Sequence, residues 1–300
     1  MTAVDVAGQG VEQDFSSRLL ESSQMLSYDP MTEIDWDSPL PADQHGLNPE
    51  WSTLYGTPLW DELTEEQRIT LTRHEVCSIM STGIWFEMIL QQMILRDQYV
   101  KNPANSEFQF ALTEIADECR HSIMFARICQ KLEVPAYFPP KLIVELARLF
   151  KSTAGGEVAY GGTLVAEEVL DVMQRDWMRG ENVLDVVRTS SKIHVLEESR
   201  HMKFAREEIK EHIKGKSTLQ RHTSAALIAL ISYGIVSSLV NPRVYKAVGI
   251  RPRRGLAAAQ ANEHRKSMLR NACAGLMGFL DEAGLLTPPA VALYKRVHMI

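Results

Sequence analysis

The sequence predicts an all-α protein built on a four-helix bundle with additional C-terminal helices. Three observations carry this prediction. No segment shows the period-2 alternation of a half-buried strand. Four long stretches with helical apolar spacing and no internal proline lie between residues 64 and 213. Finally, Asp117-Glu118-Cys119-Arg120-His121 and Glu197-Glu198-Ser199-Arg200-His201 nearly repeat each other 80 residues apart. In each, Glu and His stand three residues apart and share one helix face. A single E-x-x-H is common by chance. Two in matching context mark a carboxylate-bridged two-metal site inside such a bundle.

Residues 1–55 read as an extended N-terminal arm, polar and loop-like, with Pro30, Pro39 and Pro41. Residues 56–300 read as a single helical domain. Its first helix begins near Thr64-Glu65-Glu66-Gln67, where Thr64 and Gln67 have capping-box spacing. It runs to about Tyr99 and is closed by Asn102-Pro103, a span of roughly 50 Å. The second runs from Ser106 to Leu132 and stops before Val134-Pro135. After the Phe138-Pro139-Pro140 turn, a short helix is expected from Lys141 to Thr153, with a break at Gly155-Gly156. The third long helix spans Glu157 to Met178, and Gly180 takes the usual C-terminal glycine position. The fourth runs from Asn182 to Ile213. Beyond it, Thr223–Leu239, Leu256–Ala283 and Pro288–Val297 are expected to be helical.

Bulk properties exclude some functions. Apolar residues make up 45% and charged residues 23%, as in an ordinary globular domain. The net charge of -6 provides no basic field for nucleic acid, and Arg251-Pro252-Arg253-Arg254 reads as a solvated loop. The four cysteines form no C-x-x-C and fit reduced thiols. No basic start followed by an apolar stretch marks a signal peptide, so the expectation is cytoplasmic. The uncharged segment Thr223–Val240 is near the minimum length of a membrane span. Its serines, threonine, tyrosine and glycine favour a buried or interface helix instead, so no membrane partner is expected.

A two-metal carboxylate site takes one Glu from each of two helices and Glu-x-x-His from the other two. Glu118/His121 and Glu198/His201 supply the motifs. On the first helix Glu87 is the candidate, an acid inside the apolar run Gly83–Leu90. An unpaired charge there is costly to bury, which calls for a cation or an arginine. Glu65, Glu66 and Glu75 lie nearer the polar start and are expected to be solvated. On the third helix the choice lies between Glu167 and Glu168. Glu167 shares a stripe with Thr163, Leu164 and Leu170, which favours it. His194 lies four residues before Glu198 and seven before His201, on the same face. It is therefore a ligand candidate as well as a possible core histidine. Asp117, Asp171 and Glu197 are candidates to accept the histidines' other N–H groups; Arg120 and Arg200 either pair with those acids or are solvated. Gly83, Gly161, Gly162 and Thr163 imply either close helix crossing or open space beside the metals.

Carboxylates bridge hard cations and imidazoles suit iron. Four glutamates balance two ferrous ions, and oxidation then favours oxygen-derived anionic ligands. The expected cofactors are thus two Fe ions, with Mn/Fe as the alternative pair, and O2 as co-substrate.

The order Glu, E-x-x-H, Glu, H-x-x-x-E-x-x-H resembles the p-aminobenzoate N-oxygenase family of non-haem di-iron enzymes. The last motif is His194-Val195-Leu196-Glu197-Glu198-Ser199-Arg200-His201, 27 residues after Glu167. The resemblance covers about residues 60–215. It implies a ferritin-like bundle, usually homodimeric, with seven protein ligands: Glu87, Glu118, His121, Glu167, His194, Glu198 and His201. It also implies a di-ferric peroxo species, an arylamine substrate oxygenated towards hydroxylamine and nitro products, and an external electron donor. Arg96 and Tyr160 are the residues put forward to meet the substrate.

The competing enzyme reading is another di-iron or Mn/Fe oxidase of the same bundle class: an acyl desaturase, a hydroxylase or a ligand-binding oxidase. His194 separates the two readings, because a desaturase needs no third histidine. Iron storage suits a shorter chain. A radical-generating reductase subunit would need Tyr99 or Tyr160 beside the metals.

Overall fold

The computed structural model describes residues 14–300, and these are all-α, with no strand beyond an isolated bridge between His45 and Val183. The helices are α1 (Phe15–Met25), α2 (Pro30–Glu33), α3 (Pro58–Asp61), α4 (Glu65–Gln98), α5 (Ser106–Lys131), α6 (Lys141–Thr153), α7 (Gly156–Trp177), α8 (Asp185–Ile213), α9 (Thr218–Ser238), α10 (Pro252–Ala261), α11 (Glu263–Glu282) and α12 (Pro288–Arg296). Short 3-10 segments at Pro49–Trp51 and Pro242–Val248 complete the series.

α4, α5, α7 and α8 form the four-helix bundle. Short loops join α4 to α5 and α7 to α8, and each pair packs along its length. The link from α5 to α7 is long and carries α6, the single long crossover of ferritin-like folds. α9 and α11 cover α7, and α12 lies on α9. The core is apolar and dense, with Trp177, Phe110, Phe125 and Phe204 buried between the layers.

Local chemistry explains the helix ends. At α4, Thr64 Oγ1 accepts from the Gln67 N–H at 3.3 Å while Gln67 Oε1 accepts from the Thr64 N–H at 3.0 Å. The capping box read from the sequence is therefore formed. The same device, Ser217 with Gln220, starts α9 at Thr218 rather than Thr223. The C-terminal helix expected as one piece is two. Asn262 interrupts it, its Oδ1 accepting from His264 and Arg265 while its Nδ2 donates to Thr53 O at 3.0 Å and Tyr55 O at 2.8 Å. The three arginines of Arg251-Pro252-Arg253-Arg254 are exposed as expected, but the segment opens α10 instead of forming a loop. Gly180 does not serve as a left-handed cap. A Cβ there would stand 1.9 Å from Asn48 Oδ1, so glycine permits the approach of Asn48, which donates to Asp176 Oδ2 at 2.6 Å.

Residues 1–13 of the expected arm lie outside the described residues. The rest is not simply loop-like: α1 is a helix that packs on α5 and α8, burying Leu19. Further on, the His45 N–H donates to Asn182 O at 2.8 Å and the Leu184 N–H to His45 O at 2.9 Å, which ties this segment to the α7–α8 loop. Thr218–Val248 is long and apolar enough by composition to cross a membrane, and half of its apolar window is buried here.

Candidate metal centre

Seven ligand-type side chains meet at mid-height of the bundle. Glu87, His121 and His194 each offer a ligand atom, and these atoms lie within 4.8 Å of one another. Glu118, Glu167, Glu198 and His201 do the same. Helical spacing aims them inward: Glu118 and His121 are one turn apart on α5, and His194, Glu198 and His201 line one face of α8.

Two carboxylates link the groups. Glu118 Oε2 lies 3.6 Å from His121 Nδ1 and its Oε1 3.1 Å from His201 Nδ1. Glu198 Oε1 lies 3.3 Å from both His121 Nδ1 and His194 Nε2, and its Oε2 3.3 Å from His201 Nδ1. Each therefore turns one oxygen to each histidine set. Glu118 Oε1, Glu198 Oε2, both Glu167 oxygens and Nδ1 of His121 and His201 have no hydrogen-bond partner, although all are buried. Buried polar atoms rarely go unpartnered. Cations held by these oxygens and nitrogens would satisfy them, so the residues fit a pair of transition-metal ions.

The outward faces of two histidines are fixed crosswise. His121 on α5 meets Glu197 of α8, Nε2 to Oε2 at 2.7 Å, and His201 on α8 meets Asp117 of α5, Nε2 to Oδ2 at 3.2 Å. Arg120 bonds both Asp117 and Glu197, while Arg200 Nη2 lies 3.6 Å from Asp117. The N-terminal segment closes this layer. Tyr28 N–H donates to Glu197 at 3.2 Å, Arg200 Nη1 donates to Leu26 O at 3.1 Å and Arg120 Nη2 to Ser27 Oγ at 3.1 Å. Asp171 does not reach a histidine; Arg175 Nε donates to it at 2.6 Å.

The two adjacent acids of α7 separate clearly. Glu167 faces the cluster, whereas Glu168 accepts from Arg206 Nε at 2.7 Å. His194 differs from its neighbours, because its Nδ1 has no acceptor and its ring is held by packing on His121 and Phe125, with centroids 4.6 and 5.0 Å away.

Burial, with Glu118 close by, pushes the Glu87 carboxyl well above the usual range, and burial with Glu198 does the same to Glu167. Burial also opposes charge on Glu198, but His201 and His194 outweigh it and hold this carboxyl well below its ordinary value. His194 is lowered to about 4, chiefly by burial, which keeps its lone pair free at neutral pH.

Several functional-type residues escaped sequence reasoning. Glu114, four residues before Glu118, is buried with both oxygens unpartnered, and burial raises it to about 8. Its i, i+4 spacing to Glu118 was the available signal. Ser122 donates to Glu87 and has no motif around it. Glu75, expected to be solvated, is buried, accepting from Thr53 N–H at 2.9 Å; the docked arm supplies that donor.

A cavity of about 820 Å³ ends at Glu87, Glu118, Glu167, His194 and Glu198 and is otherwise mostly apolar. Gly83 and Gly162 line it, whereas Gly161 allows close crossing, since a Cβ there would stand 2.6 Å from Ile228 Cδ1 of α9. Arg96 and Tyr160 are not on its wall. Arg96 donates to Lys151 O at 2.6 Å and the Tyr160 hydroxyl to Asp97 at 3.2 Å.

Comparison with known proteins finds a family and relatives. The family model described as P-aminobenzoate N-oxygenase AurF matches residues 9–284. An uncharacterized protein of Mycobacterium tuberculosis is 26% identical over 246 residues, covering 80% of this chain and 72% of the relative. An uncharacterized protein of Mycobacterium bovis is 25% identical over the same length and shares.

Proposed function

The chain belongs to the p-aminobenzoate N-oxygenase family, and from that premise we propose that it is an O2-dependent di-iron oxygenase acting on the nitrogen of an aromatic amine. The observation that carries the reading is the pair Glu118 and Glu198, each turning one oxygen to either histidine set. Glu87, His121 and His194 would hold one iron and Glu167 and His201 the other, with Glu118 and Glu198 between them. Two irons bound there supply O2 binding and its two-electron activation.

The protein's own groups set the conditions. Glu197 and Asp117 favour the proton on Nε2 of His121 and His201, leaving Nδ1 lone pairs directed inward. The apolar lining gives water few hydrogen-bond partners beside the amine and the carboxylates. In the first turnover one oxygen atom of O2 joins the amine nitrogen, giving a hydroxylamine. The other leaves as water, with two electrons from an external donor and two protons. Further oxygenation leads towards the nitro product.

One observation favours a second reading. An apolar cavity suits an aliphatic chain, as in an acyl desaturase, a hydroxylase or a ligand-binding Mn/Fe oxidase. His194, in register with Glu198 and His201, favours the N-oxygenase. We take the enzyme to be cytoplasmic and homodimeric, the apolar Thr223–Val240 segment being the stretch read from the sequence as an interface helix; Leu230 is kept out of that contact because it lines the cavity, and a monomer by light scattering would refute the dimer. The main test is metal content per chain on protein grown with iron and manganese, followed by arylamine turnover read by mass spectrometry. About two irons and an N-oxygenated product support the reading. One manganese with one iron moves the protein to the oxidase class, and no transition metal after reconstitution overturns it.

A further inference from the structure

The cavity is large for its setting. Its 820 Å³ lies high in the roughly 300–1,000 Å³ range of pockets that hold drug-sized ligands. Its wall runs along α4 from Gly83 to Met93 and along α7 from Glu157 to Leu170. At about 1.5 Å per helical residue this is a channel roughly 15–20 Å long. Apart from the ligand side chains the lining is mostly aliphatic and aromatic: Phe86 and Leu90 from α4, Leu146 and Phe150 from α6, Ile231 and Ile235 from α9.

Charge on the wall argues against an acidic substrate. Among the described residues Lys216 is the one lysine or arginine in the lining, and its Nζ lies 2.7 Å from Glu157 Oε1. Glu157 also accepts from Ser224. This pair is already neutralised, and it sits ten residues, or about 15 Å along α7, from Glu167. A carboxylate on a substrate held at Glu167 would lie among apolar side chains with no counter-ion, and an unpaired buried charge is strongly disfavoured.

The outer wall has the complementary property. α6 buries none of its own residues. Leu142 and Leu146 are 69% and 52% exposed, yet both line the cavity mouth, and across from them Leu230 of α9 is 54% exposed. A bound apolar chain would cover these side chains, gaining the stabilisation that follows removal of apolar surface from water.

We propose that the substrate is an arylamine bearing a long, uncharged apolar substituent, seated with its amine towards Glu167 and His194 and its tail between α6 and α9. The amine end rests on the N-oxygenase reading above; the apolar tail rests on the cavity alone. Leu146 and Leu230 then set chain-length preference.

The test is calorimetric titration of the full-length, iron-loaded protein with aniline, p-aminobenzoate, p-butylaniline and p-octylaniline. Affinity should rise up to about fourfold per methylene buried, and p-butylaniline should bind more tightly than p-aminobenzoate. Leu146→Glu and Leu230→Glu, both at exposed positions that folding tolerates, should flatten the series. A flat series in the wild type, or tighter binding of p-aminobenzoate, overturns the proposal. The same bound alkylanilines are then assayed for N-oxygenated product. Chain-length-dependent binding with no product overturns the N-oxygenase reading and leaves the apolar tail site standing, so the two failures are distinguishable.

Discussion

Asp117 directly precedes Glu118 on α5, yet it supports the histidine of the opposite helix, lying 3.2 Å from His201 Nε2. Glu197 returns the arrangement to His121. Each acid-Glu-x-Arg-His segment thus supplies an inward pair and an outer carboxylate for its twin. The two helices are interlocked by this exchange, and Arg120, bonding both outer acids, ties the layer together.

Removing an outer carboxylate should therefore loosen the histidine on the other helix. Asp117→Asn and Glu197→Gln are each expected to weaken iron binding by about 10–100-fold, the usual effect of losing such a partner. Asp171→Asn, whose carboxylate bonds Arg175, should leave it unchanged. Iron retention against a graded chelator measures all three; equal retention in every variant would remove the crosswise support.

The neighbouring acids of α7 give a sharper contrast. Glu167→Gln should lose metal, whereas Glu168→Gln should keep it and lose only the contact with Arg206. Metal content by mass spectrometry decides, and the reverse pattern would exchange their roles.

The histidines should not be equivalent. His121→Ala and His201→Ala are expected to strip metal or abolish oxygen chemistry. His194, whose outer nitrogen has no acceptor, should give a milder variant, with altered iron spectra and weaker retention. Spectra identical to the wild type in His194→Ala would place that ring outside the coordination set.

Metal uptake should release protons. Burial raises the carboxyls of Glu87 and Glu167, so without metal both favour their protonated forms. Burial works against charge on His121 and His201, but Glu118 and Glu198 overcome it and raise both imidazoles well above their ordinary value. Cations must displace these protons, so affinity should increase as pH rises through the range where the groups are protonated. Calorimetry of metal binding in two buffers of different ionisation enthalpy counts the protons; no release near pH 7 would contradict the assignment.

Glycine tests packing at two places. Gly46→Ala should destabilise the fold by about 1–3 kcal/mol, because its Cβ would stand 2.5 Å from Arg73 Cα. Gly83→Ala meets only Phe125 at 3.8 Å and should stabilise α4 by about 1 kcal/mol through helix propensity. Thermal unfolding distinguishes them, and equal shifts in one direction would contradict the packing account.

What the sequence determined by itself was whatever repeats along one helix. Spacing of three, four and seven residues put Glu118 with His121 and His194 with Glu198 and His201 on common faces, and the Thr64–Gln67 cap announced α4. The stripe on α7 favoured Glu167 over Glu168. These features are local, because a helix's period fixes side-chain direction without reference to its neighbours.

Tertiary structure alone decided what lies between helices. Which outer acid serves which histidine depends on axial offset and rotation of α5 against α8, and no spacing within either strand of sequence encodes it. The burial of Glu75 depends on Thr53 arriving from a docked arm, and the break at Asn262 on carbonyls of Thr53 and Tyr55. The cavity is likewise a joint product of α4, α6, α7 and α9. α6 is legible in the sequence only as a short helix from Lys141 to Thr153. Its placement beside the bundle makes it a wall of the cavity.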